Sequence, residues 1–290
     1  MNDFYTLDDV KDKVIVIKYG GSIMRNERCK KSFLQDLKLL HEHGARIVIV
    51  HGGGPMISAW LDRLNMGTEF IQGLRVTDED TMEVVEMILS GNVNKNLASE
   101  IYLSGLPAVG ISGKDSGLIL ARKKYLIDEN GDPLDIGYVG DVEEVQSELL
   151  LNLLDCGRIP VISPVGADEY GYTYNINADY VAAFISGALK ADHFIILTDV
   201  DGVYKDFNDK SSLISTINVK EISNLIKTKV IQGGMVPKLQ CCMKAINMGS
   251  KCIHLINGTS DTSFIDNLLS GNGTIITGYE KEASKCQKVI

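Results

Sequence analysis

The 290-residue chain is long enough for one large core or for two closely fused lobes. Apolar residues make up 44% and charged residues 23%, proportions of a globular protein that exclude a disordered or fibrous one. The formal net charge of −9 repels nucleic acid and anionic membrane surfaces, so an anionic ligand needs a locally positive pocket.

The acidic start, MNDFYTLDDVKDK, lacks the basic and apolar regions of a secretory leader, and no apolar run approaches a membrane span. A cytoplasmic protein with neither nucleic-acid nor membrane partners is expected. The run VIVIKY (14–19) reads as a buried strand and leads into Gly20-Gly21. Helical spacing follows at Phe33, Leu37 and Leu40. Lys18 closes an apolar strand, where an ammonium is costly unless an anion neutralises it or its stem reaches solvent. A second strand, RIVIVH (46–51), ends in Gly52-Gly53-Gly54-Pro55. Glycine after a strand lets backbone N–H groups approach an anion, and a helix start behind it adds partial positive charge. Such a turn alone is weak evidence, but two in successive β-α units point to a phosphate cradle.

Arg75, in QGLRVT (72–77), offers a bidentate fork to a carboxylate, either of a ligand or of the chain itself. After the strand PAVGIS (107–112), Gly113-Lys114 continues with Asp115, and Ala108 occupies the place of the Walker A glycine. Residues 125–141 carry the turn signals ENG and GDP and read as a β-hairpin flap. IPVIS (159–163) is a further strand. In Tyr174-Asn175-Ile176-Asn177-Ala178-Asp179, Asn177 is the N-cap candidate and Asp179 suits the helix dipole, whereas Asn175 has no capping role and could face a ligand. FIILT (194–198) leads into the polar run Asp199-Val200-Asp201-Gly202-Val203-Tyr204. Lys238 follows Gly233-Gly234 at the start of a helix spaced by Met235, Leu239, Met243 and Ile246, where the dipole disfavours a cation. The last run is CIHLI (252–256).

Strand and helix alternate, which predicts an α/β sandwich with a mainly parallel central sheet and a binding crevice at the carboxyl ends of its strands. HGGG at 51–54 matches the oxyanion-hole motif of esterases, but no serine has the flanking glycines of a nucleophile elbow. His41, His43, His193 and His254 lack metal-ligand spacing, and His51 reads as a packed strand-end residue. Cys29, Cys156, Cys241, Cys242, Cys252 and Cys286 form no C-x-x-C pair and read as reduced structural thiols, the adjacent pair pointing to opposite sides. No metal site is assigned.

Seven segments in order carry a resemblance to the amino acid kinase family: IKYGGS (17–22), VHGGGP (50–55), GLRVTD (73–78), SGKD (112–115), NINAD (175–179), LTDVDGVY (197–204) and GGMVPK (233–238). The resemblance covers about Val14 to Thr277. It implies a three-layer α/β/α sandwich of two lobes: residues 1–176 for an acyl amino acid and dimerisation, and 177–290 for ATP. The implied acceptor is N-acetyl-L-glutamate, phosphorylated on its γ-carboxylate with Mg2+ and ATP. Lys18 and Lys238 match the lysines that neutralise the transferring phosphoryl group, and Asp179 the aspartate that positions them. Gly20 and Gly21 match the phosphate path. Gly53, Gly54, Arg75 and Asn175 match substrate contacts. Asp199 to Tyr204, with Val230, Ile231 and Gln232, match segments holding the nucleotide. The implied assembly is a homodimer, with a hexamer less expected because only 13 residues precede the first strand. Sister kinases acting on other carboxylates and a non-catalytic sensor are the alternatives. Ser116, placed before Gly117, and Asn257-Gly258-Thr259-Ser260 depart from the family's pattern.

Overall fold

The computed structural model describes residues 6–24, 26–260 and 262–278, so Cys286 lies outside the described residues. Within them an eight-stranded sheet forms the centre. Its order is Thr216–Asn218, Thr274–Thr277, Cys252–Asn257, His193–Thr198, Val14–Tyr19, Arg46–His51, Ile159–Ser163 and Ala108–Ser112. The six strands from Cys252–Asn257 onward are mutually parallel, and Thr274–Thr277 turns antiparallel against Cys252–Asn257. The six apolar runs read from sequence are these six parallel strands, to within a residue at their ends. The other two are three and four residues long, too short for a periodic signal.

Both faces are covered, which is why the central strands read as continuous hydrophobic runs. Ile15, Ile17 and Tyr19 face one layer with Phe33, Leu37 and Leu40 of the helix Glu27–Glu42 and Leu97 and Ile101 of the helix Asn94–Leu103. Val16, Val48, Val50 and Phe194 face the other, with Val181 and Ile185 of Ala178–Ala188 and Leu239 and Cys242 of Met235–Asn247. This alternation along each strand is the period of two of a β ladder, and it produces the three-layer α/β/α sandwich. Cys241 and Cys242 correct one expectation. They do not point to opposite sides: helical neighbours lie only about 100° apart, and both are fully buried in the same core. Burial pushes the Cys241 thiol up to about 12, so it carries no thiolate at neutral pH.

The expected flap is longer than its turn signals. Ile119–Ile127 and Pro133–Val145 pair antiparallel, and with Val165–Ala167 and Thr173–Ile176 they close a four-stranded barrel. Ile119, Ala121 and Val142 anchor this barrel in the core beside the helix Ala178–Ala188. The barrel in turn holds the chain around Thr77, whose N–H donates to Ile136 O at 3.0 Å and whose carbonyl accepts from Tyr138 N at 2.6 Å.

Sheet register also brings together residues that no spacing rule relates. His193 stands opposite Cys252, and Ile195 opposite His254. The ligand atoms of His193, Cys252 and His254 all lie within 4.8 Å of one another. The absence of metal-ligand spacing in the sequence is therefore no guide at this position.

Candidate active site

The carboxyl ends of the parallel strands carry two glycine turns in contact. Gly52 N–H donates to Tyr19 O at 3.0 Å, and a Cβ on Gly21 would lie 3.3 Å from Pro55. The helix behind the first turn, Gly21–Met24, is a single turn, whereas the second is followed by the ten-residue helix Gly54–Arg63. The dipole contribution expected at both turns is therefore concentrated at the second.

Asp179 lies where these elements meet the helix Ala178–Ala188. Asn177 caps that helix by accepting from Asp179 N–H at 2.8 Å, as its position suggested. Capping does not account for the Asp179 carboxylate. Its Oδ1 forms an ion pair with Lys18 Nζ at 2.9 Å, and its Oδ2 accepts from Lys238 Nζ at 3.0 Å. Their side chains are 13%, 12% and 22% exposed for Asp179, Lys18 and Lys238. Lys18 neither snorkels away nor waits unpaired, and the placement of Lys238 against its helix dipole is stabilised by the same carboxylate. Burial pushes Asp179 up, but the charges and hydrogen bonds of the two lysines outweigh it and hold the carboxyl below the usual range. Two cations share one anion, so the triad keeps a net positive charge within a chain of charge −9.

Beside the triad, a cleft of about 180 Å³ is lined by Gly53, Gly54, Arg75, Asn175 and Ala178. Gly54 has open space where a Cβ would stand, while a Cβ on Gly53 would lie 2.4 Å from Leu89. Arg75 is only 6% exposed. It donates to Gly54 O at 3.1 Å, Ser58 Oγ at 2.8 Å and Thr68 Oγ1 at 3.4 Å, and lies over the Phe70 ring. All these hydrogen-bond partners are neutral. Among the described residues no carboxylate forms an ion pair with Arg75. Burial lowers its affinity for a proton, partly offset by the charge of Asp62. Asn175 Nδ2 donates to Thr77 Oγ1 at 3.3 Å, which aligns the amide at the cleft wall.

Across the triad, a cleft of about 710 Å³ is lined by Asp199, Val200, Gly202, Val203, Tyr204, Val230, Ile231, Gln232 and Lys238. Asp201 is turned to another task. It accepts from Asn257 Nδ2 at 2.8 Å and from Tyr204 OH at 2.7 Å, tying the loop to the next strand. Thr274 Oγ1 completes the anchor by accepting from Val203 N–H at 2.8 Å. The Ile231 side chain is buried in the core beside the cleft.

Several supports were not legible from sequence. The wide π turn Met87–Val93 sets Leu89 against Gly53 and delivers the fully buried Asn94 beneath His51. Asn94 Nδ2 donates to Val161 O at 2.8 Å and lies 3.1 Å from His51 Nε2, which assigns the ring proton to Nδ1. That proton is donated to Gly52 O at 2.7 Å. Burial lowers the His51 pKa to about 4, so the residue packs as a neutral brace for the glycine turn, as its strand-end position suggested. Ser58 and Thr274 were likewise missed, and Asn257, noted only as a departure from the family's pattern, proves to hold Asp201. Only the Gly-x-Gly-Thr run at 271–274 could have pointed to Thr274.

A model of the amino acid kinase family matches residues 13–257, and the chain belongs to this family. Within it, the chain is 50% identical over 284 residues to the acetylglutamate kinase of Clostridium acetobutylicum, covering 98% of this chain and 95% of that protein. It is 46% identical to the acetylglutamate kinase of Heliobacterium modesticaldum, covering 90% of each. Among solved structures, N-acetylglutamate synthase from Neisseria gonorrhoeae matches with a TM-score of 0.80 at 23% identity. That match spans 94% of this chain and 61% of the other, and it is a likeness of fold.

Proposed function

We propose that this chain transfers the γ-phosphoryl group of ATP to the γ-carboxylate of N-acetyl-L-glutamate, giving N-acetyl-L-glutamyl 5-phosphate and ADP, a step of arginine biosynthesis. The observation that carries this reading is the Asp179 carboxylate holding Lys18 and Lys238 between a small cleft and a nucleotide-sized one.

A γ-carboxylate is ionised at neutral pH, so its oxygen can attack the γ-phosphorus without a general base. One P–O bond forms, the bond to the β-phosphate oxygen breaks, and no proton moves. The chain's part is positioning and charge neutralisation. Arg75, with its neutral partners, takes the α-carboxylate of the acceptor together with Asn175. Gly53 and Gly54 let the reacting carboxylate come close to backbone N–H groups. Lys18 and Lys238 stabilise charge on the transferring group from either oxygen of the Asp179 carboxylate, which keeps them the right distance apart. Gly20 and Gly21 lie on the phosphate path. ATP arrives with Mg2+ on its phosphates, and the loop 199–204 with residues 230–232 holds its nucleoside.

We further propose that residues 1–176 form the acceptor half and 177–290 the nucleotide half, that the protein works in the cytoplasm, and that it is a homodimer built through the first half. Exposed Tyr102 and Leu103 on the helix Asn94–Leu103, beside the edge strand Ala108–Ser112, support that interface. The reaction is tested by ADP release with a panel of acceptors: N-acetyl-L-glutamate, an acylated aminoadipate, aspartate, glutamate and carbamate. Turnover confined to N-acetyl-L-glutamate is expected. Turnover with another acceptor and none with this one would overturn the assignment.

A further inference from the structure

We propose that His193, Cys252 and His254 form a second site, separate from the phosphoryl-transfer centre, for one transition-metal cation of the zinc class. The three residues stand at the starts of two adjacent parallel strands, His193–Thr198 and Cys252–Asn257. The clefts described above lie at the opposite ends of these strands. Register places the three side chains on one face: His193 is directly opposite Cys252, and His254 is two residues beyond Cys252. They are 6%, 1% and 5% exposed for His193, Cys252 and His254.

His193 Nδ1 and His254 Nε2 are 3.1 Å apart and share a hydrogen bond, one ring nitrogen donating to the other. With Zn–N bonds of about 2.0–2.1 Å, two imidazole nitrogens on one tetrahedral ion stand about 3.3 Å apart, so the observed spacing fits a shared ion with little change. All three ligand atoms lie within 4.8 Å of one another, and rotation of the Cys252 side chain can close the remaining gap to its sulfur. Two imidazoles and a thiol are borderline-to-soft donors. They suit zinc and its neighbours and do not suit Mg2+ or Ca2+, which take oxygen ligands.

A second observation points to the same place. Thr277 is directly opposite Cys252 on the antiparallel neighbour and therefore shares its face. It is 1% exposed, and its Oγ1 has no hydrogen-bond partner among the described residues. A buried hydroxyl left so keeps its desolvation penalty uncompensated. A water on the fourth position of a tetrahedral ion would give it a partner beside Cys252. On binding, the proton held between the two rings shifts to a non-ligating ring nitrogen, the thiol proton is released to solvent as the sulfur-metal bond forms, and no electron is transferred.

The test is a titration of the full, metal-stripped chain with Co2+, followed by Zn2+. One equivalent of Co2+ is expected to give tetrahedral d-d bands and a thiolate-to-cobalt charge-transfer band, both lost when Zn2+ displaces it. Cys252→Ser is expected to abolish the charge-transfer band, and His254→Gln to weaken Zn2+ binding by about tenfold or more. Should either variant fail to fold, X-ray absorption of the zinc-loaded wild type reads the site directly, with one sulfur at about 2.3 Å and nitrogens at about 2.0–2.1 Å expected. An oxygen-only shell, no stoichiometric uptake by the folded wild type, or a charge-transfer band that disappears with Cys156→Ser and survives Cys252→Ser would overturn the proposal.

Discussion

Lys18, Asp179 and Lys238 show how far a single residue can be read in isolation. Each had an ordinary explanation in sequence: a snorkelling stem, a first-turn acid and a solvated lysine. The contacts replace all three explanations with one shared ion triad. Replacing Lys18 or Lys238 by alanine is expected to lower kcat by about a hundredfold or more, because charge stabilisation at the transferring phosphoryl group is lost. Steady-state kinetics at saturating MgATP checks this, and an unchanged kcat would refute the assigned role. Arg75→Lys is expected to raise the KM for the acceptor by about tenfold or more with a smaller effect on kcat, since a point charge cannot reproduce the planar fork. A titration at constant MgATP separates the two parameters. His51 gives a pH signature. Its folded pKa, about 4, lies below its ordinary value of 6.5, so the unfolded chain binds the extra proton between these pH values. Stability of the wild type relative to His51→Gln is therefore expected to fall as pH drops from 6.5 to 4, by up to about 1.4 kcal/mol per pH unit, and to be level above 6.5. Urea denaturation of both proteins across this range measures the difference, and the opposite titration of Asp36 cancels in it.

At the scale of elements, the six parallel strands were legible because burial on both faces writes itself as continuous Val and Ile runs. The loops at their carboxyl ends were legible because glycine and polar residues interrupt those runs. What escaped was whatever depends on contacts distant in sequence. The barrel closed by Ile119–Ile127, Pro133–Val145, Val165–Ala167 and Thr173–Ile176 is one case. The π turn Met87–Val93 is another, since its residues have no distinctive spacing. Gly137 marks where the barrel grips the segment leading to the proposed acceptor cleft. It has φ +81°, and a Cβ there would lie 2.0 Å from Thr77 O. Gly137→Ala is expected to destabilise the fold by about 2 kcal/mol or more and to raise the acceptor KM, because the Thr77 segment carries Arg75 and supports Asn175. Thermal unfolding and kinetics on the same sample check both effects. A normal melting temperature would show that the grip is dispensable.

At the scale of the molecule, a chain of charge −9 concentrates Lys18, Lys238 and Arg75 where one sheet's strand ends and a small barrel converge, as the proposed anion sites require. Fold class was legible from the alternation of strand and helix, and the triad's members could be named through the family resemblance that seven short segments carry. Register-dependent features, such as the meeting of His193 with Cys252, could not, because the 58 positions between them contain no trace of which strands pair. The central claim is that two lysines held by one carboxylate drive acyl phosphate formation on N-acetyl-L-glutamate. The most direct measurement is a quenched single-turnover reaction in which hydroxylamine traps acyl phosphate as hydroxamate while ADP is counted in parallel. Equal amounts of hydroxamate and ADP are expected from the wild type, dependent on N-acetyl-L-glutamate, with both falling together in Lys18→Ala. ADP formed without hydroxamate, or formed equally without the acceptor, would contradict the account.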